Sequence, residues 1–369
     1  MGAPAVGGGG AIVNAAPLAP LAALYGAALA IREALYDKGI SGRWRLHRPV
    51  VSVGNLTLGG TSKTPLVLWL AEKLRALGVR PGVALRGYGG AYDGVARRVP
   101  ARVGGGAGAG IFRLYGDEAC LIASRLPQVP VAVGRSRAHA ALMLVNEEQV
   151  HVVLLDDGFQ HRSLHRDLDI VLLDRQSPFG NGRLLPAGPL REPPSALRRA
   201  HVILLRDSDP GAPVTDSAAA GDRIVAGLST PGAALHTAGC RLRPAGLRSP
   251  EGDEIDPAHP SLQGCIAFCG IARPDSFRAM LRLLGIQPLE FRAFRDHHPF
   301  SSLELDDLDA AAARRGAAWL ATTEKDAVRL EGWRPRACRL AVLRVALEID
   351  QESSLLERVL RVCRPVAAA

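Results

Sequence analysis

The sequence predicts an α/β fold built on a mostly parallel sheet, with a second, smaller α/β lobe and an apolar helix ahead of both. Three observations predict it. Short apolar runs recur at 50–54, 83–85, 131–133, 152–155, 170–173 and 202–205, with helical stretches between some of them, and that alternation argues for parallel strands covered on both faces. After a polar, turn-rich stretch the alternation starts again at 266–268. Ahead of everything, no charged residue occurs from Ala15 to Ile31.

With 369 residues, 47% hydrophobic and 22% charged, the chain can bury a sizeable core, which excludes a disordered protein, a coiled coil and a disulfide miniprotein. A net charge of +9 favours polyanions: nucleic acid, nucleotide phosphates or an anionic membrane face. Six scattered cysteines suit a reducing compartment, and Cys265 and Cys269, in an apolar run, fit a core better than a metal site. Residues 1–14 are rich in Gly and Ala and are expected to fray. The uncharged segment that follows contains Pro17 and Pro20 and is marginal for a span that needs roughly 20 residues. It lacks the basic region that opens a signal peptide. With Arg32, Lys38, Arg43 and Arg45 just beyond it, it fits a helix lying in, or shallowly entering, an anionic leaflet with the body on the cytoplasmic side. An amphipathic helix packed on its own domain is the alternative.

Residues 50–54, VVSVG, read as a buried strand, and Thr64–Leu77 as a helix. Pro65 suits its first turn, Leu66, Leu70, Leu74 and Leu77 share a face, and Gly78 stops it. The Gly-rich stretch 89–110 has no apolar period and reads as a surface loop, and the polar run 207–222 as a linker. In the second lobe, 266–268, 319–322 and 341–347 read as strands. The stretch 274–284 reads as a helix with Phe277, Met280, Leu281 and Leu284 on one face. No internal repeat is evident.

The strongest local signal is VSVGNLTLGGTSKTP. A strand enters a Gly-containing loop that ends in Lys63-Thr64 and opens a helix, so backbone N–H groups and the helix N-terminus can hold phosphate oxygens. Lys63 would reach the β- and γ-phosphates, and the Thr64 hydroxyl would ligate Mg²⁺. The match to G-x-x-x-x-G-K-[ST] is imperfect, because Thr57 and Ser62 stand at the two Gly positions. The candidate nucleotide-binding residues are Thr57, Leu58, Gly59, Gly60, Thr61, Ser62, Lys63 and Thr64, and the fold becomes phosphate-loop NTPase-like. Ser62 in a left-handed turn would cost roughly 1 kcal/mol. Ser is small and polar, so ordinary backbone angles and a mild effect are expected there. The second signal is VHVVLL ending in Asp156-Asp157-Gly158. A carboxylate at the end of a buried strand beside a phosphate loop is where a metal–nucleotide enzyme needs a Mg²⁺ ligand, so Asp156 and Asp157 join Thr64 as candidate metal residues.

With LYGAALAIREALYDKG, LRGYGG, YGDEA, VGRSRAHAA, LLDDGFQHRSLHRDLDIVLLD, FGNGRLLPAGPLREP, FCGIARPDSF, FRDHHPFS and TTEKDAVRL, nearly the whole chain resembles the tetraacyldisaccharide 4′-kinase family, the lipid A 4′-kinases of Gram-negative bacteria. The DDGFQHR and GNGRLLPAGPLRE runs are very specific to it. The resemblance implies transfer of the γ-phosphoryl group of ATP, with Mg²⁺, to the 4′-hydroxyl of a tetraacylated glucosamine disaccharide 1-phosphate at the cytoplasmic face of the inner membrane. It implies Asp117 as catalytic base, supported by His297, with lobe closure expected to bring the two together. Arg86, Tyr88, Arg137, Gln160, His161 and Glu192 match substrate-side positions. Ser62, where the family usually has Gly, and Leu85, where it usually has Ser, depart from the pattern. The implied division is 1–45, tail and membrane-associated helix; 46–210, phosphate-loop kinase domain; and 211–369, the smaller lobe.

Two rival readings weigh less. A phosphate-loop switch protein needs no second cluster of Arg, His and carboxylates. A nucleic-acid binder would have few stacking platforms with 5% aromatic residues, so no nucleic-acid partner is expected, and no obligate protein partner is implied.

Overall fold

In the computed structural model, the described residues are 16–59, 62–101, 110–207, 235–330 and 332–363. The chain opens with α1 (Ala19–Asp37) and enters the body at β1 (Val50–Asn55), α2 (Lys63–Ala76), β2 (Pro81–Leu85) and β3 (Arg97–Arg98). It continues through α3 (Ile111–Tyr115), α4 (Asp117–Arg125), β4 (Val131–Val133), α5 (Arg137–Asn146), β5 (Val152–Asp156), β6 (Leu168–Asp174) and β7 (Val202–Asp207). Then come β8 (His236–Arg248), β9 (Glu254–Ile255), β10 (Ile266–Cys269), α6 (Pro274–Leu283), β11 (Glu290–Ala293) and α7 (Ser302–Arg315). The last elements are β12 (Trp319–Thr323), α8 (Glu324–Ala327), β13 (Arg339–Ile349) and α9 (Glu352–Cys363).

The strands form one sheet in the order β11-β10-β12-β13-β8-β7-β6-β1-β5-β2-β4-β3, with β9 beside β8. Its pairs are parallel except β8–β13, β3–β4 and β8–β9, all three antiparallel. Every residue of β1, β2, β5 and β6 is buried, as parallel strands covered on both faces require. Because β1 lies between β5 and β6, the carboxyl ends of these three strands open at one edge. Ligands of open α/β sheets bind at that edge.

β8 and β13 join the two lobes. The first half of β8 pairs with β7 from His236 to Arg241, and its second half pairs with β13. β13 in turn pairs with β12 from Arg339 to Leu343, then runs back along β8 past an irregularity between Leu343 and Val345. Leu347, Ile349, Leu355 and Val359 are buried in the same cluster as Val51, Leu66 and Leu70 of the first lobe. The second lobe has its own clusters around Phe277 and Phe268. The chain therefore crosses the expected division at 210/211 again near its end, since β13 and α9 supply apolar surface that the first lobe needs.

The sequence-predicted strands and the helix starting near 64 appear within a few residues of their expected bounds. Part of the expected loop 89–110 pairs instead as the edge strand β3, through backbone bonds that need no apolar side chains. Residues 102–109 of that loop, and all of the expected linker but Asp207, lie outside the described residues, as do residues 1–15.

No described helix is long and apolar enough to cross a membrane. Leu21, Leu24 and Ile31 of α1 are 55%, 69% and 63% exposed. Other residues of α1 bind the body. Tyr25 Oη donates to the Arg191 carbonyl at 2.9 Å, Arg162 donates to Asp37 at 2.7 Å, and Glu33 pairs with both Arg162 and Arg199.

Candidate active site

A cleft of about 850 Å³ runs between the lobes. One wall is the open edge of the first-lobe sheet. β1 ends in Asn55, whose Oδ1 accepts from Lys63 Nζ at 3.0 Å and whose carbonyl accepts from Gln160 Nε2 at 2.7 Å. A side chain on Gly54 would collide with Phe159, so the strand and the turn after β5 can meet this closely only with glycine there. The phosphate loop leans on the stretch before Glu192: Leu58 N donates to Pro189 O, and Arg191 N donates to Leu56 O, both at 2.8 Å. Gly60 and Thr61 lie outside the described residues. Thr57 is bridged to Leu190 and does not line the cleft, whereas Leu58, Gly59, Ser62, Lys63 and Thr64 do.

Ser62 corrects an expectation. Its φ of 64° and ψ of 31° are left-handed, the conformation that costs a residue with a Cβ roughly 1 kcal/mol. The loop turns there into α2, so the backbone path and not the residue type alone sets the angle. The Ser62 hydroxyl accepts from Arg206 Nη1 at 3.1 Å.

The adjacent carboxylates have different surroundings. Thr64 Oγ1 donates to Asp156 Oδ2 at 2.9 Å, and Asp156 Oδ1 is buried with no hydrogen-bond partner. Burial, reinforced by the charge of Glu118, pushes Asp156 up to about 7 despite Lys63. An orphaned oxygen on a carboxyl that resists ionisation, beside a threonine hydroxyl, suits a divalent cation. Asp157 is held with φ at 55°. Arg191 Nη1 reaches its two oxygens at 2.9 and 2.8 Å, Lys63 is at 3.3 Å and Arg137 at 3.7 Å. Burial opposes its ionisation, but Lys63, Arg191 and Arg137 outweigh burial and hold it down at about 2. His161, lowered to about 4 by burial and then by Arg137, Arg166 and Arg86, is a neutral imidazole in the same wall.

His297 also lines the cleft, and it pairs with Asp117, which is buried and does not itself line it. Asp117 opens α4 after Gly116, whose φ is 86° and where a Cβ would strike the Tyr88 carbonyl. Asp117 Oδ1 accepts from Glu118 N at 2.9 Å, and Oδ2 lies 2.9 Å from His297 Nδ1. Lys325 Nζ sits 3.1 Å from His297 Nε2. An ammonium only donates, so Nε2 accepts and the Nδ1 proton is directed at Asp117. Burial alone would raise Asp117, but the His297 hydrogen bond and the charges of Lys325, His297 and Arg329 bring it below the usual range. The bond to Asp117 raises His297 in turn. The pair, 180 positions apart in sequence, is already in contact, so no further closure is needed to form it.

Of the sequence-predicted substrate positions, Arg86, Tyr88, Arg137, Gln160 and His161 line the cleft, and the Tyr88 ring lies 6.0 Å from that of His297. Glu192 does not. It is 1% exposed, and both its oxygens are taken, by Arg32 and by Arg199, so it fastens α1 to the body. Sequence reasoning missed Glu118, Asn55, Arg191, Arg206 and Lys325. The Asp117-Glu118 doublet was a visible signal, but such doublets commonly open helices for electrostatic reasons alone. Leu242, Ile271, Phe277, Met280, Leu343 and Val345 give the cleft an apolar side.

The sequence profile of one family, described as tetraacyldisaccharide-1-P 4′-kinase (LpxK), matches residues 14–364. A tetraacyldisaccharide 4′-kinase of Anaeromyxobacter dehalogenans (strain 2CP-C) is 44% identical over 357 residues, covering 94% of this chain and 89% of that protein. One from Syntrophus aciditrophicus is 37% identical over 348 residues, covering 92% and 91%. Among solved structures, the "apo" form of LpxK from Aquifex aeolicus in complex with ATP superposes with a TM-score of 0.75 at 30% identity, over 95% of this chain and 100% of that one.

Proposed function

The chain belongs to the tetraacyldisaccharide-1-P 4′-kinase family and is an ATP-dependent kinase for the 4′-hydroxyl of the lipid A disaccharide precursor; from that premise we propose how its residues divide the work. The donor side is Lys63, Thr64 and Asp156, and the acceptor side is Asp117 with His297. The observation that carries this division is that Lys63, Thr64, Asp156 and His297 line one cleft, with His297 Nδ1 2.9 Å from the buried Asp117 Oδ2.

The orphaned Asp156 oxygen and the Thr64 hydroxyl fit Mg²⁺, and Glu118, which also lines the cleft, faces the same space. When bound, Mg²⁺ would offset negative charge on the phosphate oxygens. Asp157 acts chiefly by collecting Lys63, Arg137 and Arg191 into one cationic cradle for the polyphosphate. Arg86, close to them in the cleft, suits anionic oxygens of either substrate. In the transfer, the 4′-oxygen bonds to the γ-phosphorus, the β–γ bridging bond breaks, and ADP leaves. Asp117 takes the hydroxyl proton late, as the new bond forms, because a carboxylate is a weak base for an alcohol. His297 directs its Nδ1 proton at Asp117 and so orients the carboxylate.

The purified protein in detergent should phosphorylate a lipid A disaccharide precursor with ATP. Asp117→Asn should bind ATP within about threefold of the parent's affinity while losing lipid phosphorylation. Retained lipid phosphorylation in that variant would remove Asp117 from its role.

The same reading puts the enzyme at the cytoplasmic face of the inner membrane, held by α1 lying in the leaflet. Its support is the exposed row Leu21, Leu24 and Ile31, continued by exposed Ile40 and Trp44 with Arg43 and Arg45 beside them. Replacing Leu21, Leu24 and Ile31 together by Asp should release the protein from anionic vesicles. Each buried leucine-sized side chain is worth roughly 1.5–3 kcal/mol, so binding should fall at least about a hundredfold. KM for the lipid should rise more than KM for ATP. Equal sedimentation with vesicles before and after the change would assign the anchoring to another surface.

A further inference from the structure

Arg206 stands at the carboxyl end of β7, with its side chain 6% exposed, and it lines the cleft beside the phosphate loop. Its strand partner across β6 is Asp174, whose carboxylate lies 3.4 Å from Arg206 Nη2. Asp174 is itself fixed, because its Oδ1 accepts from the backbone N–H groups of Gln176 and Ser177 at 3.1 and 3.2 Å. Arg273, from the second lobe, donates to the same Asp174 Oδ2 at 2.8 Å. From this anchored position Arg206 Nη1 reaches the hydroxyl of Ser62 at 3.1 Å, in the residue whose backbone is left-handed.

A glycine at the start of α2 would adopt the left-handed turn unaided, because it has no Cβ to oppose it. Serine opposes the turn through its Cβ but adds a hydroxyl that can be tied down. We propose that Arg206 is a positioning residue for ATP: clamped by Asp174, it holds Ser62 in the turn that aims the phosphate loop at the nucleotide. Ser62 and Arg206 then act as one unit, each useful because of the other. The inference rests on ATP being the phosphoryl donor and adds to that reading a residue outside the loop.

The test measures the equilibrium affinity of the full chain for a fluorescent ATP analogue, with no lipid present, and KM and kcat with ATP varied. Ser62→Ala keeps the Cβ that opposes the turn and removes the hydroxyl that Arg206 holds. It should weaken nucleotide binding about fivefold relative to Ser62→Gly. Arg206→Gln should weaken binding about fivefold in the parent but less than twofold in the Ser62→Gly background, with most of the loss in KM for ATP rather than kcat. Arg206→Lys, which can still donate to the hydroxyl, should recover part of the loss. Indistinguishable Ser62→Ala and Ser62→Gly proteins would overturn the proposal, as would an equal Arg206→Gln loss in both backgrounds, which would mark a direct contact with the nucleotide. The alanine and glycine variants leave Arg206 in place, so their comparison decides even where Arg206→Gln fails to fold. Because the binding measurement omits lipid, its outcome is independent of whether the acceptor is correctly identified.

Discussion

Lys63→Ala is expected to cut kcat/KM for ATP by about 10²–10³-fold, the usual loss when one preorganised donor to developing charge is removed. Lys63 lies between Asn55 and Asp157, so its ammonium is held in place before the nucleotide arrives. Its removal leaves Asp157 paired with Arg191 and Arg137 and takes only the lysine stem from the packing, so the fold should survive. Circular dichroism and a thermal melt beside the lipid-kinase assay decide the matter. A folded variant with near-parental rates would sink the assignment of the phosphate loop. Asp156→Asn should lose as much by a different route, since an amide cannot present two anionic oxygens to a divalent cation. Its residual activity should respond to Mg²⁺ concentration, whereas that of Lys63→Ala should not.

The second large effect belongs to Asp117 and His297. Either Asp117→Asn or His297→Ala alone should slow turnover, the first by about 10²–10⁴-fold, the range for a general acid or base. The double variant should be scarcely slower than the worse single one, because groups that act together lose their effect together. The 2.9 Å contact between His297 Nδ1 and Asp117 Oδ2 is the physical basis of that expectation. Strictly multiplicative losses would mean that the two residues serve separate steps.

How far the sequence could foretell this arrangement depended on how local the determining physics was. β1, β5 and β6 are buried along their whole length, so their sequences are nearly pure apolar runs and were legible. β8 was not, because HTAGCRLRPAGLR leaves the first-lobe sheet halfway and crosses the seam with its faces part-exposed. Lys63, Thr64 and Asp156 were legible because a strand end and a helix start are written in adjacent residues. The pairing of Asp117 with His297 came only from family resemblance, since nothing local to either residue refers to the other. Glu192 was placed on the substrate side by family resemblance alone. Its actual partners, Arg32 and Arg199, meet it only through folding. Ser62 misled for a related reason: residue type states a cost for a backbone angle, while the surrounding turn decides the angle.

The path of β8 and β13 has a bearing on how the protein comes into being. The second lobe needs the chain only as far as the first half of β13, where Leu340, Ala341 and Val342 pair with β12. The first lobe needs Leu347, Ile349, Leu355 and Val359 to close its interior. A chain emerging from the ribosome therefore completes its later lobe before its earlier one, the reverse of the usual N-terminal-first order of multidomain synthesis. Until the final helix is released, Val51, Leu66 and Leu70 belong to an interior without its last wall. A premature stop shortly after residue 343 would spare most of the second lobe and leave the phosphate-binding half of the enzyme incomplete.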